Sequence, residues 1–129
     1  MNSSPNHVMT YGSLVRATGM QSELGVAKYL DFVASCTIEG CLYDLGDFPG
    51  AVPGDGTVHG ELFRLQDEQA LSQIDRYEGY TPNRASASLF VRRPTLAQPM
   101  DIRAWVYWYN GPVRQAPEIE SGKWRAASG

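Results

Sequence analysis

One stretch of the chain, Asp67 to Glu78, has a pattern that commits to a helix. Ala70, Leu71, Ile74 and Tyr77 recur at helical spacing along a single stripe, Asp67 is suited to cap the first turn, and Gly79 stands where a helix would stop. A helix with one apolar stripe is stable in water only when that stripe is buried against another element. Most of the remaining chain has β-type composition, so the helix is expected to pack on a sheet or barrel.

His7 to Tyr11 reads as a first strand that runs into Gly12-Ser13. Glu23 to Phe32 has the spacing of a short helix or turn, with Gly25 limiting its length. Ser35 to Leu45 reads as a strand and Thr57 to Leu65 as its neighbour, with turn formers between them at Gly46-Asp47-Phe48-Pro49-Gly50 and Pro53-Gly54-Asp55-Gly56. Ser86 to Val91 and Arg103 to Tyr109 read as further strands. In the last, Ala104, Val106 and Trp108 alternate with Trp105, Tyr107 and Tyr109, which predicts a strand covered on both faces. Many strands and one firm helix give an α+β domain, a curled mixed sheet with helices at its side. Its 129 residues suit a single domain over 1–129, with residues 1–6 and 125–129 as flexible ends.

Charge excludes some classes of function. Eleven Lys and Arg against fourteen Asp and Glu leave a net charge of −3, and basic pairs such as Arg92-Arg93 stand alone, so no nucleic-acid surface is expected. No apolar run approaches the ~20 residues needed to cross a bilayer. Met1-Asn2-Ser3-Ser4-Pro5 lacks the cationic start and apolar core of a secretory signal, and the expected location is the cytoplasm. Cys36 and Cys41 have an odd separation within a strand, which puts them on opposite faces, so buried reduced thiols are expected rather than a bridge. His7 and His59 have no partner at metal-ligand spacing.

Two places carry chemistry. Glu78 follows Ile74 by four residues and falls on the helix's buried stripe, at the C-terminal end where the macrodipole disfavours negative charge. Burial and dipole would both raise its pKa, preparing the carboxyl to exchange protons near neutrality. The alternative is a frayed last turn that leaves Glu78 in water. Tyr11-Gly12-Ser13-Leu14 is either an ordinary strand-ending turn or a loop whose N–H groups converge on a ligand, with the Ser13 hydroxyl beside them.

The order of the segments adds to this. Tyr11-Gly12-Ser13-Leu14 is followed by Gly40-Cys41-Leu42-Tyr43-Asp44-Leu45-Gly46 with Phe48-Pro49-Gly50, and then by Gly60-Glu61-Leu62-Phe63-Arg64-Leu65. Ile74-Asp75-Arg76-Tyr77-Glu78-Gly79, Ala104-Trp105-Val106-Tyr107-Trp108-Tyr109-Asn110 and Ile119-Glu120-Ser121-Gly122-Lys123-Trp124 complete the series. Together they resemble the gamma-glutamylcyclotransferase-like family, which includes gamma-glutamylamine cyclotransferases and a protein of butirosin biosynthesis. The resemblance implies a mixed β-barrel of about five to seven strands with flanking helices. It also implies Glu78 as the acid/base residue and Tyr11, Gly12, Ser13 and Leu14 as the substrate loop. The implied reaction releases 5-oxoproline from a small gamma-glutamyl amide and needs no metal or cofactor.

Two departures stand out. Family members often continue with Leu-Tyr-x-Arg where this chain has Leu89-Phe90-Val91-Arg92, so that tyrosine hydroxyl is missing, and the stretch from Tyr80 to Ala87 is short and rich in small residues. Arg92 is either a fork for a substrate carboxylate or a solvated strand-end arginine. Two rival readings remain, a non-catalytic protein that binds a small molecule in the same cleft and a serine hydrolase built on Ser13 and His59, which lacks the Gly-x-Ser-x-Gly elbow. The leaving amine and the oligomeric state are left open.

Overall fold

The computed structural model describes residues 4–124. It contains β1 (His7–Thr10), α1 (Met20–Leu24), β2 (Leu30–Asp44), β3 (Pro49–Leu65), α2 (Gln69–Glu78), β4 (Phe90–Ala97) and β5 (Ile102–Tyr109). The five strands form one mixed sheet in the order β2-β3-β1-β5-β4. β2 and β3 make a long antiparallel hairpin, β1 lies antiparallel on β3, β5 runs parallel to β1, and β4 returns antiparallel on β5. Thr37 in β2 then exchanges backbone hydrogen bonds of 2.8 and 3.0 Å with Gln98, just past β4. That bridge joins the two edges of the sheet and curls it toward a barrel.

The sheet is covered on both sides. Met9, Ile38, Leu42, Val58, Leu62, Ala104, Val106 and Trp124 fill one face. Val8, Leu14, Phe63, Ala70, Leu71, Ile74, Phe90 and Tyr107 fill the other, beneath α2. Neighbouring residues of β1 and β5 alternate between these clusters, as strand periodicity requires. α2 starts where the Asp67 carboxylate accepts the Gln69 N–H at 2.9 Å and ends at Gly79, whose φ of 73° is the left-handed conformation that closes a helix. Asn6 is already tied down, its carbonyl accepting the Leu65 N–H at 2.8 Å. Of the flexible ends expected at 1–6 and 125–129, residues 1–3 and 125–129 lie outside the described residues.

Several segments differ from the sequence expectation. The helical signal over Glu23 to Phe32 resolves into α1, which stops at Gly25, a 3-10 turn over Ala27–Tyr29, and the start of β2 at Leu30. Pro53-Gly54-Asp55-Gly56 is not a loop between strands. Cys41 pairs with Val52 and Glu39 with Thr57, so these turn formers make a bulge opposite Gly40 inside an unbroken β3. The strand expected from Ser86 begins only at Phe90. Pro82 to Ala87 forms 3-10 turns with a kink at Arg84 instead, and the Asn110 side-chain amide donates to the carbonyls of Ala85 at 3.2 Å and Ser88 at 2.9 Å, holding this segment off the ladder. Cys36 is buried but Cys41 is only partly so, and both thiols are free.

β1 and β3 approach closely at Gly60, where a Cβ would stand 2.1 Å from the Thr10 carbonyl oxygen. Gly60→Ala therefore has to displace backbone in the middle of the sheet, and a loss of about 1–3 kcal/mol or more in unfolding free energy is expected by urea denaturation. Unchanged stability would show that the two strands can separate freely at this point.

Candidate active site

Where β1 ends, the chain turns through Gly12, Ser13 and Leu14, and partners elsewhere take up the carbonyls of that turn. The Gly12 carbonyl accepts the Val15 N–H at 3.3 Å, the Ser13 carbonyl accepts the Thr18 hydroxyl, and the Leu14 carbonyl accepts the buried Gln21 amide at 2.7 Å. None of the N–H groups of Gly12, Ser13 and Leu14 meets an acceptor among the described residues. Three adjacent amides left this way form a ready site for negative charge or a carbonyl oxygen.

These residues line a cavity of about 230 Å³ together with Tyr11, Phe48, Tyr77, Glu78, Phe90 and Tyr107, among others. Gly79 ends α2 immediately after Glu78, and the last turn holds Glu78 against the cavity rather than releasing it to water. The side chain is partly buried, and burial raises its carboxyl from the ordinary 4.5 to about 7. It makes no ion pair or hydrogen bond with another described residue, so nothing offsets that desolvation.

The sequence-derived site residues divide in two. Tyr11, Gly12, Ser13, Leu14 and Glu78 surround the one cavity. The Tyr11 hydroxyl is fully engaged, donating to the Tyr107 carbonyl at 2.7 Å and accepting the Ala51 N–H at 3.0 Å. Arg92 is not part of the lining. Its guanidinium forks onto Asp75, Nε to Oδ1 at 2.8 Å and a terminal nitrogen to Oδ2 at 3.2 Å, and lies over the Trp105 ring at 4.4 Å. His59 is also away from the cavity, its backbone N–H bonded to Gly122.

Two residues of the region escape sequence reasoning. Tyr77, expected on the buried stripe, is 36% exposed, and its hydroxyl lies 2.6 Å from the Ser13 hydroxyl. Asp75 is buried at 6% exposure. It stands four residues after Leu71, so the same periodicity that singles out Glu78 also points to Asp75. Among the described residues no group of three or more His, Cys, Asp or Glu is arranged to hold a metal ion, and no helix is long and apolar enough to cross a membrane.

The family model for gamma-glutamyl cyclotransferase, AIG2-like proteins matches residues 8–126. The chain belongs to this family. Among family relatives, the gamma-glutamylcyclotransferase family protein YtfP of Escherichia coli K12 is 36% identical over 117 residues, which cover 91% of this chain and 94% of YtfP. The solution structure of Escherichia coli YtfP superposes with a TM-score of 0.63 at 33% identity, over 92% of this chain and 96% of that one. An AIG2-like protein of Mus musculus superposes with a TM-score of 0.71 over 92% and 88% of the two chains, and its 22% identity supports the shared cyclotransferase fold alone.

The raised pKa of Glu78 has a consequence for stability. Below about pH 4.5 the carboxyl is protonated in both folded and unfolded chains, and burial carries no electrostatic penalty. Between about 4.5 and 7 the unfolded chain ionises first, so the penalty grows with pH and is fully present above 7. Glu78→Gln is therefore expected to stabilise the protein at pH 8 by up to about 3 kcal/mol and to be nearly neutral at pH 4. Calorimetric melting at both pH values checks this, and an equal effect at the two would contradict it.

Proposed function

We propose that the protein cleaves a small gamma-glutamyl amide by internal cyclisation, with Glu78 carrying the protons. The observation that supports this most is a carboxyl near neutrality lining the same small cavity as Gly12, Ser13 and Leu14, with neither the carboxyl nor the three loop amides partnered among the described residues. The substrate's α-nitrogen attacks its own γ-carbonyl carbon, a C–N bond forms, and the carbonyl electron pair moves onto oxygen. The oxyanion then collapses, the original amide C–N bond breaks, and the products are 5-oxoproline and a free amine. Of the three protons on the starting ammonium, one stays on the lactam nitrogen and two end on the leaving amine. Glu78 takes protons from the first nitrogen and delivers them to the second, which a group titrating near 7 does efficiently in both directions.

The loop amides are assigned the developing oxyanion, where fixed donors that need no reorganisation are most effective. The cavity's further task is to hold a flexible glutamyl chain folded for ring closure, and orientation of this kind is worth up to about 7–11 kcal/mol. Nucleophile and electrophile belong to one molecule and nothing is oxidised, so the reaction as proposed calls for no cofactor. Free thiols at Cys36 and Cys41 suit a reducing compartment such as the cytoplasm.

The test is incubation with a panel of gamma-glutamyl amides that differ in the leaving amine, with chromatographic detection of 5-oxoproline. Turnover of at least one member is expected. Glu78→Gln should reduce it by about 100-fold or more while leaving the protein folded. A Glu78→Gln variant as active as the parent would overturn the mechanism, and tight binding without turnover of any member would favour a binding protein.

A further inference from the structure

Asp75 is a buried carboxylate one turn before Glu78 on α2, outside the cavity lining, and its geometry points to a role. Oδ1 accepts the Tyr107 hydroxyl at 2.5 Å and Arg92 Nε at 2.8 Å, and Oδ2 accepts a terminal Arg92 nitrogen at 3.2 Å. The Arg92 guanidinium lies over the Trp105 ring at 4.4 Å and over the Tyr80 ring at 5.6 Å, contacts that limit how the fork can turn. Tyr107 itself lines the cavity. Burial first, and then Asp75, raise its hydroxyl well above the usual tyrosine range, so it keeps its proton.

We propose that Arg92 and Asp75 are positioning residues that keep the Tyr107 hydroxyl donating to Asp75, so that Tyr107, which lines the same cavity as Glu78, has no proton to donate to it. A tyrosine has a single hydroxyl proton. While that proton is hydrogen-bonded to Asp75, Tyr107 cannot donate to a Glu78 carboxylate. Two other titratable side chains line the cavity beside Glu78, and each hydroxyl has a hydrogen-bond partner. Tyr11, at the end of β1, donates to the Tyr107 carbonyl, and Tyr77, on Glu78's own helix, is paired with Ser13. The loop after β1, the Phe48-Pro49 turn and the Leu89-Phe90 segment bring no charged side chain to the lining. Arg92, which a sequence reading could assign to a substrate carboxylate, acts here one step removed, by fixing the carboxylate that accepts the Tyr107 hydrogen bond.

The inference rests on Glu78 being the proton carrier, but its test needs no substrate. The carboxyl carbon of Glu78 is followed by NMR against pH in protein carrying ¹³C-labelled glutamate, with Glu78→Gln for assignment. Asp75→Leu and Arg92→Leu are introduced together, because removing one partner alone would strand a buried charge. The Tyr107 hydroxyl is then free to turn toward Glu78, and the Glu78 midpoint is expected to fall by about one unit. Adding Tyr107→Phe should restore it. A midpoint unmoved in the double variant, or a fall that persists in the triple, overturns the relay. Should the double variant not fold, Tyr107→Phe alone decides, since the relay expects an unchanged or slightly lower midpoint and a rise of about one unit would show that Tyr107 already donates to Glu78. A Glu78 that titrates as expected in a protein with no turnover would leave the relay standing and remove the catalytic reading.

Discussion

The Tyr11 hydroxyl is the joint on which the site depends. It donates to the Tyr107 carbonyl in β5 and accepts the Ala51 N–H in β3, so one buried side chain spans the strands on either side of β1 at the point where β1 ends. Burial keeps that hydroxyl protonated by raising it well above the usual tyrosine range. A donor and an acceptor satisfied together inside the core hold the chain's exit from the sheet in one place. Gly12, Ser13 and Leu14 therefore begin their turn from a fixed origin. Thr18 and Gln21 then take the carbonyls of Ser13 and Leu14, and the amide groups are left without acceptors among the described residues.

Opposite the turn, α2 is set by the burial of Ala70, Leu71 and Ile74 and by the Asp75–Arg92 pair. The two kinds of anchor have different consequences. Apolar burial fixes where the helix lies, whereas the ion pair fixes its rotation and draws Tyr107 into the same network. Glu78 follows on the next turn with no hydrogen-bond or ion-pair partner among the described residues. Two carboxyl groups three residues apart thus meet opposite fates, one saturated with donors and the other with none among the described residues.

How much of this was legible in the sequence depended on the range of the interaction that decides each element. α2 was readable because its stripe, its capping Asp67 and the terminating Gly79 are all local signals. The two-sided cover of Arg103 to Tyr109 was readable from its two apolar rows. Pro53 to Gly56 misled because glycine and proline signal a departure from regular backbone without saying whether it is a turn or a bulge; the strand across from them decides that. Ser86 to Leu89, the first part of the strand expected over Ser86 to Val91, stays off the sheet for a similar reason, since Asn110 holds the carbonyls of Ser86 and Ser88 from more than twenty residues away. The placement of Arg92 could not be read at all, because its partner Asp75 lies on another element and only the packing of α2 on the sheet brings them together.

The central claim is that one cavity presents a proton-carrying carboxyl to one side of a folded glutamyl group and a ring of amides to the other. A crystal structure with 5-oxoproline bound would test it most directly. The account predicts the lactam carbonyl oxygen against the N–H groups of Gly12 to Leu14 and the lactam nitrogen within hydrogen-bond reach of Glu78. A ligand bound away from this cavity, or a Glu78 side chain turned out to bulk water beside it, would contradict the account.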